Sequence, residues 1–526
     1  MTGDREADLE MNYAGLFICI VLICGFCVSL VSADMNYIVA VNDNLPLGFT
    51  HKNLDTGLPF TGYNSVLVKW DGISWETSPV AGSDITDANG QDHFVITENS
   101  PGTYYYKCHL PAIHDSWTSV MTVNVYASPV VAPVDKCSII GSSGFYSLMN
   151  PLHPAGAGTC IVIQSSDVLF DGMGYTIQGS INDDSVMANG IHVRAYPDGD
   201  VKLADITIRN VTLDRWSHGI VFSHSDGKIS HSQVLRNYFD GIRVERSGSL
   251  IIENNTASDG ISRGFGITAS ENIFLLNNTA AGNLGKDGKG GLGVRIDNST
   301  QITVKNNNFL DNYGTGAVLL NTSYTLVSGN SITHNGWGVA IINSGANNVT
   351  QNRIANNKYH GISLQSSERN SFSDNYLNNT HNVDSDSTNG WNVTRRTGPN
   401  IAGGPSVGGN YWANPDGTGF SQSCTDQTHD GICDSAYSLD MANVDYLPLS
   451  SFVIYSLPGY AKLPTDPDHD GIYEDLNGNG RLDFADVVLY FNQMTWIAAH
   501  EPIPAFDLNG NGRIDFADIV ALFNEI

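Results

Sequence analysis

Basic residues are scarce in this chain of 526 residues. Lysine and arginine together number 26, against 54 aspartates and glutamates, so the formal net charge is −28 and the isoelectric point is about 4.6. A surface of this charge repels nucleic acid and suits divalent cations. We therefore expect no nucleic-acid partner.

Long apolar runs are also few. Residues 15–33 form one, and it ends in Val31-Ser32-Ala33, a small-residue pattern typical of signal-peptide cleavage. The acidic residues before it outnumber Arg5, whereas a signal peptide normally begins with positive charge, so translation starting at Met11 is one interpretation. Left uncleaved, the segment would be a membrane anchor. Both alternatives predict a secreted or cell-surface protein that meets the membrane only through this segment.

Cysteine is sparse outside that segment, which holds three of the eight cysteines. Four of the others lie near the two ends of the repeat region described next. In an oxidising exterior we expect the disulfides Cys137–Cys160 and Cys424–Cys433. Cys108 is left without a partner and requires another explanation.

A short phrase returns every 22 to 29 residues between residues 190 and 380. It is a glycine followed by an apolar, a variable and an apolar residue, as in Gly241-Ile242-Arg243-Val244. The phrase begins at eight glycines: Gly190, Gly219, Gly241, Gly266, Gly293, Gly316, Gly338 and Gly361. Alternation of period two predicts short strands. Self-similarity at this period predicts stacked coils that bury their apolar faces against one another.

The repeat units have few leucines and no helical periodicity, which excludes a leucine-rich repeat. We therefore predict a right-handed parallel β-helix. Each unit also carries asparagines at the end of its second strand, such as Asn210, Asn255 and Asn278. We expect these amides to stack inside the turns, each bonded to its neighbours above and below.

Residues 34–127 alternate apolar and polar residues like a small β-sandwich. Their last third contains Tyr104-Tyr105-Tyr106-Lys107-Cys108, followed by His114. This resembles the closing strand and ligand loop of the cupredoxins, the blue copper domains of the plastocyanin group. The resemblance implies copper at Cys108 and His114, since such a site combines a thiolate, two imidazoles and a weak thioether.

The domain departs from the cupredoxin pattern at two ligands. Ser74-Trp75-Glu76-Thr77 stands where the first histidine is expected, and Trp117 stands where the axial methionine is expected. Three other histidines would substitute only if folding brought them to Cys108: His51, His93 and His109. The alternative is a metal-free domain used for structure or binding.

The chain resembles a known family of right-handed β-helices in its repeats and in two later segments, Gly408-Gly409-Asn410-Tyr411-Trp412 and Asp430-Gly431-Ile432-Cys433-Asp434. The family includes the NosD copper-processing proteins and the carbohydrate-binding and sugar-hydrolysis repeats. The same segments also resemble surface proteins of methanogenic archaea. The resemblance spans about 310 residues and implies a fold more strongly than an activity.

β-helix enzymes that act on polysaccharides carry carboxylates and basic residues on one outward sheet face. Here a charged groove would consist of Asp240, Arg243, Arg295 and Asp297. Adjacent coils offer no paired aspartates of the kind a glycosidase needs, so a solvated face is the simpler interpretation. Another interpretation is that four aromatic residues at the coil edges bind sugar: Trp216, Tyr238, Trp337 and Tyr359.

Two nearly identical twelve-residue loops, 32 residues apart, lie near the C-terminus. Each has oxygen ligands at positions 1, 3, 5, 9 and 12 and glycine at position 6, which is what a calcium loop requires. The ligands are Asp475, Asn477, Asn479, Asp483 and Asp486 in the first loop, and Asp507, Asn509, Asn511, Asp515 and Asp518 in the second. Arg481 and Arg513 take the position that offers a backbone carbonyl. A partial third loop precedes them, with Asp466, Asp468, Asp470 and Glu474 as candidate ligands.

Each loop is followed by an apolar run with helical spacing, and no helix is expected before it. Such loop-helix pairs, with aspartate at position 12, resemble a dockerin domain. The resemblance implies calcium binding and docking to a cohesin-like or other envelope protein. The alternative is a calcium-dependent clip that packs against the β-helix.

The predicted fold is mainly β: a right-handed parallel β-helix solenoid with a cupredoxin-like sandwich before it and a small helical tail. The predicted divisions are 1–33, signal or anchor; 34–127, sandwich; 128–135, linker; 136–450, β-helix; 451–463, linker; and 464–526, dockerin-like domain. We expect an adhesion or scaffold protein whose β-helix binds polysaccharide. The alternatives are a polysaccharide lyase or glycoside hydrolase acting through the groove, and copper binding or electron transfer through Cys108.

Overall fold

The structure is a computed structural model of the chain. It describes residues 35–51, 59–75, 78–112, 118–128, 130–154, 158–180, 188–195, 201–286, 290–428, 430–451, 454–468 and 470–526. The predicted signal or anchor segment lies outside these residues. Within them, no helix combines the length and apolarity needed to cross a membrane.

The N-terminal domain is a small β-sandwich. One of its layers contains the strands Met35–Ala40, Asn64–Lys69, Val80–Ile85, Gly102–His109 and Met121–Tyr126. The other layer is the antiparallel pair Asn44–Thr50 and Gln91–Thr97. Alternate residues of both layers share one apolar core, as a period-two pattern requires.

A parallel β-helix follows, and most of its coils supply one strand to each of three sheets. The first sheet contains Ser138–Ile140, Ile161–Ile163, Asn189–Val193, His218–Ser223, Asp240–Glu245, Arg263–Thr268, Leu292–Asp297, Thr315–Leu320, Trp337–Ile342, Ile362–Gln365 and Val383–Ser385. The second contains Val130–Val134, Gly144–Leu148, Val168–Asp171, Leu203–Arg209, Ser225–Ser230, Gly248–Glu253, Glu271–Leu276, Thr303–Lys305, Leu326–Ser328, Asn348–Thr350 and Ser371–Ser373. The third contains Thr176–Gln178, Thr212–Asp214, Gln233–Leu235, Thr256–Ser258, Thr279–Ala281, Asn308–Leu310, Ser331–Thr333, Arg353–Ala355, Tyr376–Asn378 and Tyr411–Ala413. The fold prediction is confirmed.

The repeated glycines mark places where the turn into the first sheet leaves no room for a side chain. A Cβ at Gly338 would lie 2.3 Å from the carbonyl oxygen of Gly361 in the next coil. In one unit the sequence phrase misplaces the register. Phe265 pairs with Ile242, so Gly264 is the equivalent of Gly241, while Gly266 takes the outward position beside Arg243.

Buried asparagines form ladders inside the turns. Asn307 donates from its backbone N and from Nδ2 to Oδ1 of Asn330, at 2.8 and 3.0 Å, and Asn330 repeats both bonds to Asn352. Asn210 was expected in this ladder but lies outside it, with positive φ and its amide on Asp171. Val211 takes the ladder position in that coil, and its N–H donates to the hydroxyl of Ser232, which takes the position in the next coil.

The sandwich and the β-helix share a strand. Met35–Ala40 pairs in parallel with Met121–Tyr126 on one side and with Ser138–Ile140 on the other. Ile38 and Ala40 enter the β-helix core, whereas Tyr37 and Val39 enter the sandwich core. The strand therefore covers the sheet edge that the first coil would otherwise expose.

The predicted linker at 128–135 is wrong, because most of it is a strand. Val130–Val134 pairs with Gly144–Leu148 at the edge of the second sheet. Val130, Ala132 and Val134 are buried in the β-helix core, and the outward Pro133 is tolerated because an edge strand has no partner for its missing N–H. The disulfide Cys137–Cys160 joins the coils that follow.

Stacked aromatic rings close the C-terminal end of the β-helix. Phe372 stacks on Trp391 with centroids 4.5 Å apart, and Trp391 contacts Trp412. The rest of this cap is irregular, with two short strand pairs, the helix α1 (Phe420–Ser423) and the disulfide Cys424–Cys433. The strand pairs are Arg396–Thr397 with Ser406–Val407 and Tyr437–Ser438 with Val444–Asp445.

The tail has its own apolar core, separate from that of the β-helix. Its helices are α2 (Phe484–His500), α3 (Ile503–Phe506) and α4 (Phe516–Glu525). Asp483 and Asp515 cap α2 and α4 by accepting from the N–H groups of Ala485 and Ala517. Asp486 and Asp518 complete a capping box at each helix.

Candidate functional site

In the first predicted calcium loop, N–H groups of the loop donate hydrogen bonds to the loop's own carboxylates. Oδ2 of Asp475 accepts from the N–H of Gly480 at 2.7 Å, and Oδ1 of Asp486 accepts from Nδ2 of Asn477 at 2.7 Å. Gly480 has φ of +85°, the sharp turn that position 6 requires. These bonds bring positions 1, 3 and 12 of the loop together.

The second loop repeats this arrangement. The N–H of Gly512 donates to Oδ2 of Asp507 and Nδ2 of Asn509 donates to Oδ1 of Asp518, both at 2.6 Å. Gly512 has φ of +82°. Nearly identical local sequence thus gives the same loop arrangement twice, and each loop leads directly into a helix.

Both loops suit a divalent cation. Asp475, Asp486 and Asp518 are fully buried, yet within the described parts of the chain no ion pair joins them to lysine or arginine. Burial raises the pKa of Asp486 and Asp518, and the carboxylates of Asp475 and Asp507 respectively add to the effect. Asn479, Asp483, Asn511 and Asp515 lie in the same loops, where Arg481 and Arg513 would offer carbonyls. A calcium ion would supply the positive charge that these grouped oxygens lack.

The helices that leave these loops expose matching apolar residues. On α2 they are Phe484, Val488 and Phe491, and on α4 they are Phe516, Val520 and Phe523. Each residue has its counterpart 32 positions later, because the duplicated segment includes the start of the helix. Phe484 and Phe523 lie 6.2 Å apart, and Phe491 and Phe516 lie 6.3 Å apart. We call these six side chains the helix patch.

A further acidic group precedes the duplicated loops. The carboxylates of Asp466, Asp468, Asp470 and Glu474 bring one oxygen each within 4.8 Å of the others. Burial, and then the neighbouring Asp468 and Asp466, raise the pKa of Glu474 to about 7. These are the residues named above for a partial third loop.

Of the two candidate copper residues, the structure describes Cys108 alone. His114 and Trp117 lie outside the described residues. Cys108 is buried against Ser65, with His51 Nε2 at 3.8 Å and Asp92 Oδ2 at 3.6 Å. Burial raises the pKa of the Cys108 thiol, and the Asp92 carboxylate adds to it.

Hydrogen bonds to Asp92 hold the cluster around Cys108 together. Asp92 accepts hydrogen bonds from Ser65, from His51 at 2.8 Å and from the N–H of Phe49 at 2.9 Å. His93 lies on an outward position of its strand, so of the alternative histidines His51 reaches the thiol. Among the described residues this cluster offers the Cys108 thiol and one imidazole, and the predicted ligand His114 lies outside them.

The four predicted groove residues do meet on the outward face of the first sheet. Arg295 binds Asp297 at 2.9 Å, and Arg263 lies 3.0 Å from Asp240 and 3.9 Å from Asp297. We call the whole group the charged face: His218, Asp240, Arg243, Glu245, Arg263, Arg295 and Asp297. A Cβ at Gly266 would lie 2.8 Å from Oδ2 of Asp240, so the missing side chain makes room for that carboxylate.

Sequence reasoning missed three members of the charged face: His218, Glu245 and Arg263. Arg243 lies 3.4 Å from His218 and 2.9 Å from Glu245. His218 and Arg263 precede the apolar triplets of their units, and strand pairing places them beside Asp240 in the neighbouring coils. That alignment is the signal that could have found them, once Gly264 is taken as the start of its unit.

Burial keeps two histidines beside this face neutral. It lowers the pKa of His218 to about 4 and that of His192 to about 3, and nearby arginines add to both effects. The Asp240 carboxylate raises the pKa of His218 and so offsets part of this lowering. At neutral pH the His218 imidazole is therefore uncharged and keeps one nitrogen free of a proton.

Two of the four proposed sugar-binding aromatics are buried. Trp216 packs in the β-helix core and donates its indole N–H to the carbonyl of Ile177 at 3.0 Å, and Tyr238 is also buried. Trp337 and Tyr359 lie nearer the surface with ring centroids 4.4 Å apart. Trp337 begins a strand of the first sheet.

Family comparisons match two parts of the chain. The model of the periplasmic copper-binding protein NosD matches residues 159–325 and 287–417. The type I dockerin domain model matches residues 473–526. No curated protein matches the chain.

Several solved structures are similar at low identity. The A-module of the Azotobacter vinelandii mannuronan C-5 epimerase AlgE6 is 14% identical, with a TM-score of 0.36 over 50% of this chain and 81% of that one. The periplasmic alginate epimerase AlgG is 16% identical, with a TM-score of 0.36 over 48% and 69%. Tailspike protein 2 of an Escherichia coli O157:H7 bacteriophage is 14% identical, with a TM-score of 0.32 over 62% and 46%.

The family matches coincide with the elements seen in the structure. The NosD match falls within the stacked coils, and the dockerin match covers both duplicated loops and α2 to α4. The chain thus combines a NosD-like parallel β-helix with a type I dockerin domain.

Proposed function

We propose that this is an exported cell-surface protein whose calcium-loaded tail docks onto a cohesin-like protein, holding a polysaccharide-binding β-helix in place. The helix patch carries the proposal. Six apolar side chains exposed at equivalent positions of two helices are unusual for a surface without a partner. Because they point to solvent and the tail core is separate from the β-helix core, docking is favoured over a clip packed on the β-helix.

Export is supported by three observations. The matched NosD family is described as periplasmic, the chain contains two disulfides, and residues 15–33 have the composition of a signal or anchor. The strongly acidic composition agrees with a calcium-binding protein and offers no surface for nucleic acid.

Docking is tested with the full chain and a purified cohesin module, by calorimetry in calcium and after chelation. The double variant Phe484→Ser and Phe516→Ser should weaken calcium-dependent binding at least about 100-fold, because apolar anchors dominate such interfaces. Val80→Ser with Val95→Ser, at two exposed valines of the sandwich, is the matched control and should bind normally. Binding that is unchanged after chelation, or unchanged in the Phe484 and Phe516 double variant, contradicts docking.

Polysaccharide binding is assigned to the first-sheet face and its edge. Trp337 and Tyr359 offer adjoining rings, and the charged face lies on strands of the same sheet. The test measures retention of the full chain on neutral and acidic polysaccharides. Trp337→Ala with Tyr359→Ala should lose retention, while Tyr324→Ala, at another exposed tyrosine of the β-helix, should keep it. Equal retention of both variants argues against this face.

The charged face favours a second function, cleavage of a uronic-acid polysaccharide by elimination. A neutral His218 beside Asp240 would take the proton on the carbon next to the sugar carboxylate, which arginines hold. A carbon–carbon double bond then forms as the glycosidic C–O bond breaks, and the leaving oxygen takes a proton from water. Incubation with acidic glycans would then produce shorter chains carrying an unsaturated sugar, detected by ultraviolet absorbance. His218→Gln should abolish that product, and Lys305→Gln on the second sheet should not. Glycan that is retained but uncut supports the binding function.

A further inference from the structure

We propose a third calcium site, built by Asp466, Asp468, Asp470 and Glu474 ahead of the dockerin match, which begins at residue 473. One carboxylate oxygen from each residue lies within 4.8 Å of the others. Four like charges at this separation repel one another unless a cation lies among them. The site is distinct from the two duplicated loops, whose ligands begin at Asp475.

Glu474 is the residue that points to a ligand. Its side chain is 5% exposed, and its Oε2 atom has no hydrogen-bond partner among the described residues. Leaving a buried carboxylate oxygen unsatisfied is costly. A cation held by the three aspartates would supply the missing interaction, because the Glu474 carboxylate faces the same centre.

The upstream loop has the same backbone arrangement as the two duplicated loops. The N–H of Gly471 donates to Oδ2 of Asp466 at 2.9 Å, as Gly480 donates to Asp475 at 2.7 Å. Gly471 has φ of +97°, in the left-handed region that position 6 demands. The four acids therefore fall at positions 1, 3, 5 and 9, with the carbonyl of Ile472 at position 7.

The ligand set selects a hard cation. Every side-chain donor is a carboxylate oxygen, and neither imidazole nor thiolate is among them. The upstream loop carries four carboxylates, whereas each duplicated loop carries three together with two asparagines. Calcium, which accepts six to eight oxygens at flexible distances, suits this set better than magnesium.

The third site is connected to the first. Thr465, just before the upstream loop, and Asp475, just after Glu474, exchange both backbone hydrogen bonds, at 2.9 and 3.2 Å. These bonds join the start of the upstream loop to the first ligand of the next loop. The N–H of Tyr473 donates to the carbonyl of Ala505 at 2.8 Å, which ties the loop to α3. An ion in the upstream loop would therefore order Asp475 before calcium reaches the first duplicated loop.

The test counts ions on the full chain, freed of metal by chelation and titrated with calcium chloride. Native mass spectrometry and calorimetry should find three ions per chain in the parent protein and two in Asp468→Asn with Asp470→Asn. Weaker binding at the first duplicated loop, by about threefold to tenfold, should accompany the loss if the two sites are connected. Asp43→Asn with Asp135→Asn removes the same charge from two exposed aspartates outside the tail and should retain three ions.

Two outcomes overturn the third site. Two ions on the parent protein would do so, and so would three ions on the double variant. Glu474→Gln keeps the size of the side chain and should also reduce the count to two, so a poorly folded aspartate variant does not decide the matter. Cohesin binding by the parent protein is measured separately, so docking and the third ion succeed or fail independently.

Discussion

Asn330 shows how much one buried side chain contributes to the β-helix. Its Oδ1 accepts from the backbone N and Nδ2 of Asn307, and its own Nδ2 donates to Val304 and Asn352. Each amide thus satisfies backbone groups that face the interior of a turn, where water cannot reach them. The ladder stabilises the turns, and this role explains why asparagine recurs in the repeat.

We expect Asn330→Ala to lower the free energy of unfolding by about 2–4 kcal/mol, because it leaves several buried polar groups without partners. Urea denaturation followed by circular dichroism measures the loss. Asn348→Ala, at an exposed position of the second sheet, should change stability by less than about 0.5 kcal/mol. Similar values for the two variants would mean that the ladder contributes little.

His218 should make the β-helix sensitive to acid. Its folded pKa of about 4 lies below the ordinary value of 6.5, so the unfolded state binds the extra proton as pH falls below 6.5. Its stabilising contribution is complete above that pH and declines as pH falls toward the folded value. Between pH 7 and pH 5 the loss is about 2 kcal/mol.

The measurement compares urea denaturation of the parent protein and His218→Gln at the two pH values. The variant cannot titrate at this position, so its stability should fall by about 2 kcal/mol less over the same interval. His231→Gln, at an exposed histidine of the β-helix, should follow the parent protein. Identical pH dependence in all three proteins would contradict the assignment to His218.

At the scale of elements, the shared strand Met35–Ala40 joins the sandwich to the β-helix. Its alternate side chains belong to different cores, so neither domain has a complete boundary without it. Solenoids need their terminal coils covered, because an open sheet edge recruits other chains. The sandwich supplies that cover at one end and the stacked tryptophans supply it at the other.

Ile38→Asp should disrupt this junction. It places a charge in the β-helix core beside the first coil, and we expect a loss of more than about 3 kcal/mol together with aggregation through the freed edge. Thermal denaturation and size-exclusion chromatography measure both effects. Val131→Asp in the nearby edge strand is the control, because Val131 is 67% exposed. A soluble Ile38→Asp protein of normal stability would refute the role of the strand.

Local patterns made some elements predictable from sequence. The calcium loops and the coil strands depend on residues close together in the chain, and their spacing revealed them. Val130–Val134 was assigned to a linker because Pro133 suggested one, and the pairing that makes it a strand comes from Gly144–Leu148. Arg263 was missed for a similar reason, since its relation to Asp240 depends on the alignment of neighbouring coils.

At the scale of the whole molecule, we expect the tail and the β-helix to unfold independently. Their apolar cores contain different residues, whereas the sandwich and β-helix share a strand. Calcium should therefore act on the tail alone, and the long β-helix should respond to temperature in the same way with or without the ion.

Chelation should unfold α2 and α4 while the β-helix remains folded. Calcium at 100 times its dissociation constant stabilises a single-site domain by about 2.7 kcal/mol, so the thermal transition of the tail should rise with calcium concentration. Calorimetry should show one transition that moves with calcium and another that does not. If both transitions move together, the two parts are coupled after all.

The shared strand also bears on the order in which the protein folds during synthesis. Met35–Ala40 precedes every coil in the chain, so it leaves the ribosome before any of them. The sandwich can close on it as soon as Met121–Tyr126 arrives, before the first coil strand Ser138–Ile140 has emerged. The folded sandwich then offers the free edge of Met35–Ala40 for the first coil to pair with, and each later coil adds to the one before it. Folding would thus follow the direction of synthesis, and the unfinished β-helix would never present more than one growing end.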